Sequence, residues 1–459
     1  MHDSAVGSSA LSQVSGADHP DHMSETPHMM PASAAALAQA TPADRDRYLD
    51  LLRALSIAVV VLGHWSIAMI WIEGGKLHAG SVIDAVPAAR WATWVVQIMP
   101  VFFLVGGVVN ARSWRRATAR GASYATWVAQ RGARLLRPTT VLVWCWTLLG
   151  PALLLAGVER GLIALAAGAA LVPLWFLAVY LVLIALIPAL LAAHDRLGLR
   201  LPAAVVVCAA GVDALHRMDV PVVGWTNYLL VWAVPTLLGF CWADGLLERR
   251  VVRSGLPAAG LTLLVAAVTW FGYPVSMVGL TEAGIQPPSV ALALLSCVQT
   301  GVMLAAQAPV SRWLRRPRVW AAVVSLNLIA MTVYLWHLTV MVVGAGLLAL
   351  SGPWWSLPPL SAAWWAARPL WLVALALCLT PVVTLLAGVE QRTPRPASRS
   401  RSAATNAATG LAVVTASGAI ASLTLGGVLG PTAVANTLLL TAAALHSGAF
   451  RRNSAEAVR

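Results

Sequence analysis

Charge is scarce in this chain. Only 11% of its 459 residues are Asp, Glu, Lys or Arg, against about 25% in soluble domains, and that shortage excludes a soluble fold. Acids are scarcer than bases, 18 against 31, which leaves a net charge of +13. A basic balance can signal nucleic acid. Here the positive charge sits in short segments between apolar runs, so no nucleic-acid partner is expected. Cysteine is also sparse. Cys145, Cys208, Cys241, Cys297 and Cys378 each lie in an apolar run and form no CxxC pair. This excludes a disulfide framework and a zinc site, and the five read as small buried hydrophobes. Phe and Tyr number six each, whereas Trp numbers 21, and Trp gathers at the two membrane interfaces.

What is abundant is apolar: 59% of the residues. A helix needs about 20 apolar residues to cross a bilayer. Spans are expected at 52–72, 92–110, 139–157, 174–192, 201–216, 225–243, 256–274, 289–308, 323–347 and 370–389. A further stretch, 408–446, holds Pro431 midway and reads as one span or a pair. Residues 161–171 read as a re-entrant or interfacial segment before Pro173. The expected fold is all-α, a polytopic transmembrane bundle of about 10–11 helices with a cytoplasmic N-terminus. Residues 1–44, which include His19, His22 and His28, read as a disordered cytoplasmic tail without a signal peptide. Residues 45–390 form the main transmembrane domain, 391–407 a basic cytoplasmic linker, and 408–459 the extra span or spans and a short tail.

The positive-inside rule tests this layout. With the first span starting in the cytoplasm, loops 111–138, 193–200, 244–255, 309–318 and 390–402 face inside and carry 20 Lys and Arg. The alternate loops 73–91, 158–160, 216–224, 275–288 and 351–369 carry 5. The asymmetry predicts a multi-pass protein of the cytoplasmic membrane, with the lipid bilayer as its solvent.

The first span holds three ionisable residues. Around a helix, Arg53 lies about 60° and His64 about 40° from Asp50, so all three share one face. Arg53 opens onto the cytoplasm, and His64 falls roughly 16 Å deeper, near mid-bilayer. An ionisable group there is costly and marks a functional candidate. The alternative is a neutral His bonded to a neighbouring helix.

Asp50-Leu-Leu-Arg53, ten intervening residues, then His64 resembles the signature of the acyltransferase-3 family of integral-membrane O-acyltransferases. Pro100-Val-Phe-Phe103-Leu-Val-Gly106-Gly107 is similar to the family's second-helix segment, with Gly-Gly where Ser-Gly is more usual. Arg131-Gly-Ala-Arg134-Leu-Leu-Arg137-Pro138 resembles its basic run before the third helix. Pro173-Leu-Trp175-Phe176-Leu and Tyr334-Leu-Trp336-His337 resemble later segments. The resemblance covers roughly 45–390. It implies transfer of an acyl group, usually acetyl, from cytoplasmic acyl-CoA to a hydroxyl of a carbohydrate or lipid-linked acceptor. Acyl-CoA is then a donor substrate, with no bound cofactor and no metal.

That chemistry needs a base for the hydroxyl proton, and an imidazole serves near neutral pH. His64 is the expected base, with Asp50, Tyr334 and His337 completing the catalytic set. Asn327, Tyr334 and His337 form one polar stripe on the ninth span, placed to orient the acceptor or stabilise an oxyanion. Arg53, Arg131, Arg134 and Arg137 are expected to hold the donor's phosphates, since guanidiniums offer paired donors. Gly106 and Gly107 would allow close approach of ligand or helix. Asp213 reads as a relay group or a partner of Arg217. The competing class is a secondary transporter or exporter, which predicts repeated halves, and no repeat is visible. Some family members carry a soluble hydrolase-like domain. The 57 residues after Ser402, mostly apolar, are expected to hold none.

Overall fold

The computed structural model describes residues 41–42, 45–278, 287–352, 355–391 and 402–450. Nearly all of the expected tail, and residues 392–401 of the basic linker, lie outside the described residues. Helix α1 spans Arg47–Ile67 and is capped by the Asp46 carboxylate, which accepts from the Leu49 amide. It ends where Ala68 turns extended. The chain then forms an antiparallel hairpin, β1 (Ala68–Glu73) and β2 (Lys76–Ser81). Gly74 and Gly75 make its two-residue turn with φ of 59° and 77°, the left-handed pair such turns demand. The first span is therefore as long as the expected 52–72 but begins and ends five residues earlier, and the hairpin is the sheet of an otherwise helical fold among the described residues.

After a short helix, Ala89–Val96, come α2 (Met99–Ala119), α3 (Tyr124–Leu155), α4 (Arg160–Leu171), α5 (Leu174–Leu197) and α6 (Arg200–Arg217). The remainder are α7 (Asn227–Ala243), α8 (Arg250–Trp270), α9 (Val290–Trp313), α10 (Pro317–Leu350), α11 (Ala362–Gln391), α12 (Ala403–Gly426) and α13 (Pro431–Ser447). Among the described residues, ten helices are long and apolar enough to cross a membrane. Helix α6 is not one of them, because it carries Arg200, Asp213 and Arg217 within 18 residues. The stretch 408–446 holds two helices, α12 and α13, broken at Gly427 and Gly430, of which α12 is among the ten long enough to cross.

Side-chain contacts sort the loops to two ends. At one end Arg112 pairs with Asp46, and Arg115 bridges Asp195 and Asp244. Arg47 donates to the Leu314 carbonyl, and His194 meets Asp244 at 3.1 Å. These segments are the arginine-rich ones, so this is the basic end. The opposite end holds the hairpin. There Ser356 accepts from the Ile72 amide, Arg368 donates to the Ala68 carbonyl, and Gln97 donates to the Met277 carbonyl. Asp213 joins this end by accepting from Asn227, Tyr273 and the Val290 amide. It is thus a node between α6, α7 and the start of α9, rather than an ion-pair partner of Arg217. Helix α6 runs between the two ends even though its hydropathy is low.

The core lies among α1, α2, α5, α7 and α10. Phe103 stacks on Trp232 at 4.9 Å and meets Phe176 edge-on at 5.2 Å. Lipid tails are as apolar as side chains, so close packing rather than water exclusion holds such helices together. Gly107 and Gly239 show it: a Cβ on either would overlap the facing backbone of α7 or α2. Of the five cysteines, Cys241 and Cys297 are buried, whereas Cys145, Cys208 and Cys378 face outward, against expectation.

Candidate active site

Two helices distant in sequence carry the site. Arg53 Nε on α1 donates to Asn327 Oδ1 on α10 at 2.9 Å. Eleven residues further along α1 and ten along α10, His64 Nδ1 lies 2.9 Å from His337 Nε2. Both separations run in the same direction, so the helices are parallel, and the two pairs form rungs roughly 15 Å apart. Asn327 also donates to the main-chain carbonyls of Asp50 and Val323, which fixes its amide with the oxygen toward Arg53. Trp65 Nε1 donates to the His337 carbonyl at 3.0 Å and holds the upper rung in register.

The hydrogen bonds assign the protons of the neutral pair. His337 Nδ1 lies 2.7 Å from the Tyr334 carbonyl, which can only accept, so that nitrogen carries the hydrogen. His337 Nε2 is then the acceptor, and His64 Nδ1–H donates to it. The lone pair of His64 is left on Nε2. His337 is fully buried and His64 half-buried, so the open edge of the pair belongs to His64. The arrangement is an imidazole with an uncommitted lone pair, oriented by a second group.

Between the rungs is a cavity of about 20 Å³, lined by Ser56, Ile57 and Val60 of α1, Met99 and Phe102 of α2, Phe176, Met331 and Tyr334. That is room for about one water. Its hydroxyls are already committed: Ser56 donates to the Leu52 carbonyl at 2.7 Å and Tyr334 to the Pro173 carbonyl at 2.8 Å. The slot is therefore apolar.

At the basic end Arg131 sits over the Trp127 ring at 5.4 Å. The charges of Arg53, Arg116 and Arg134 all act on it, as does the Tyr180 hydroxyl. No acid pairs with any of these four guanidiniums among the described residues. Asn110 Nδ2 donates to Tyr180, and the buried Asn110 Oδ1 has no partner. Four cations gathered without an ion-pairing acid among the described residues make this end of the bundle electropositive.

Several expectations change. His64 stands in the last turn of α1, nearer the opposite end than the middle, because the helix stops at Ile67. Asp50 accepts from Arg45 at 2.6 Å, fourteen residues below His64, so it belongs to the basic mouth. The proton of Tyr334 goes to Pro173, and both nitrogens of His337 are engaged. These two groups hold the His64 ring in place and have no free donor for an oxyanion. Arg131 and Arg134 lie inside α3 rather than before it, since the helix starts at Tyr124. Arg137 lies over the Phe450 ring at 5.9 Å. Gly107 is filled by α7, and Gly106 faces the Tyr180 ring, so both serve packing. Sequence reasoning missed Tyr180. Tyr180 follows Phe176 by one turn on α5, and that spacing was its one legible signal.

No curated protein and no solved structure matches the chain. The family model described as an acyltransferase domain matches residues 46–389, which contain both rungs and all four clustered arginines and leave out α12 and α13. With three quarters of the sequence inside that match, the chain belongs to the acyltransferase-3 family and is a membrane acyltransferase.

Proposed function

We propose that the protein moves an acyl group, acetyl being the one the family resemblance implies, from acyl-CoA at the basic end to a hydroxyl of a carbohydrate or lipid-linked acceptor. The observation that carries this reading is the pair of rungs joining α1 to α10: Arg53, a member of the arginine cluster, stands in register below the oriented imidazole of His64. By the positive-inside rule the basic end faces the cytoplasm, where acyl-CoA is made, and the membrane is the cytoplasmic one. Arg53, Arg116, Arg131 and Arg134 hold the donor's phosphates, and its flexible arm extends toward His64. The acceptor comes from the opposite end, since the hairpin begins four residues after His64.

In the transfer, Nε2 of His64 takes the hydroxyl proton as the oxygen attacks the thioester carbonyl. The C–S bond breaks, and the departing sulfur receives that proton from the imidazolium. The products are an ester and free CoA thiol, and His64 is restored. Release of thiol from acyl-CoA by purified protein with a hydroxyl acceptor measures the reaction. His64→Ala is expected to lower it by about 10²–10⁴-fold with unchanged membrane insertion. Full activity in that variant would overturn the assignment.

A further inference from the structure

A second site lies away from the rungs, on the face of α9 turned from α1. Arg250, Arg253, Ser254 and Pro257 follow one another on α8 at the i, i+3, i+4, i+7 spacing that makes a single helical face. Opposite them on α9 are Gly301, Val302 and Ala305. Together these seven residues line a cleft of about 530 Å³. Its floor is open because Gly301 and Ala305 are small. Its two helices are held close by Gly301, where an added Cβ would strike the Pro257 ring.

The polarity of the cleft runs along the helix axis. Arg250 and Arg253 stand at the basic end, Arg253 fastened to the Leu304 carbonyl at 3.2 Å. Arg250 is exposed, its carbonyl accepts from the Ser254 hydroxyl, and its guanidinium has no hydrogen-bond or ion-pair partner among the described residues. Seven residues further, roughly 10 Å along the axis, the walls are Pro257, Gly301 and Val302 alone. Helix α8 is the outermost of this pair, with little of its surface covered by protein. A cleft that is cationic at the level of one membrane interface and apolar toward the hydrocarbon matches an amphiphile with an anionic head, and basic pockets between spanning helices take such head groups.

We propose that this α8–α9 cleft binds one anionic phospholipid of the cytoplasmic leaflet, its phosphate against Arg250 and Arg253 and a chain along Pro257, Gly301 and Ala305. The proposal is independent of the transfer chemistry, because none of these residues belongs to the rungs or the arginine cluster.

The test is native mass spectrometry of the detergent-purified full chain, titrated with phosphatidylglycerol or phosphatidylcholine of identical chains. One phosphatidylglycerol is expected to bind about 30-fold more tightly, since each interfacial arginine contributes about fivefold. Arg250→Gln should remove about fivefold of that preference, and Arg250→Gln with Arg253→Gln all of it. Ala305→Leu, which fills the floor, should weaken both lipids alike. Equal binding of the two lipids, or a preference that survives the double substitution, overturns the proposal. So does displacement of phosphatidylglycerol by millimolar inorganic phosphate, which would make the cleft a phosphate site.

Discussion

Replacing His337 with Phe separates the orientation of the base from its presence. The wild-type imidazole accepts from His64 Nδ1–H at 2.9 Å and is itself fully buried. Phe fills nearly the same space and offers no acceptor. The His64 N–H is then left unpaired inside the bundle, at a cost of about 1–3 kcal/mol. If that cost falls on the productive tautomer, kcat drops by about 5- to 150-fold, at 1.36 kcal/mol per factor of ten. The arginine cluster lies a full rung away, so KM for acyl-CoA should not move. His337→Gln, whose amide oxygen can accept, should recover part of the rate. The assay is steady-state thiol release in detergent, with size-exclusion chromatography confirming equal folded yield. An unchanged kcat in His337→Phe, or a loss that appears in KM alone, would refute the assignment of the lone pair to His64 Nε2.

Arg131→Gln should raise the KM for acyl-CoA by about tenfold or more, because a charge-assisted hydrogen bond is worth about 1.5–3 kcal/mol; direct titration with CoA reads the same loss, and unchanged CoA binding would remove Arg131 from the donor site. Gly107→Ala should destabilise the α2–α7 crossing by about 1–3 kcal/mol, seen as a lower melting temperature, whereas Gly63→Ala, with open space around it, should be silent. Asp244 lies beyond the end of α7, and its carboxyl is held below the usual carboxylate range by the hydrogen bond from Arg115, then by the charge of Arg115 and by His194. Its stabilising contribution is therefore complete above the ordinary pKa of 3.8 and is lost as pH falls below that value. Thermal melts of Asp244→Asn should lack this acid-side decline, and an identical decline in both proteins would show that the Arg115–Asp244–His194 node does not report on pH.

The sequence by itself determined the class of fold. Scarce charge, long apolar runs and the skew of arginine toward alternate loops require helices crossing a bilayer, because every buried backbone group must be paired within its own segment. It also singled out Arg53 and His64, since an ionisable residue on an apolar helix is conspicuous. Only the tertiary structure decided which helix faces α1. Asn327 and His337 lie more than 270 positions further along the chain, and one polar stripe on α10 does not say which partner it meets. The protonation pattern of His64 depends on a carbonyl of Tyr334, which no side-chain periodicity reveals. Tyr334 itself was misread for a related reason: its hydroxyl looks free in the sequence, and only the turn at Pro173 brings an acceptor to it. Gly107 was ambiguous until α7 was seen to press its backbone there. Local periodicity fixes which face of a helix is special, whereas the partner of that face is chosen by packing between segments, and packing is where the chemistry of this site was assembled.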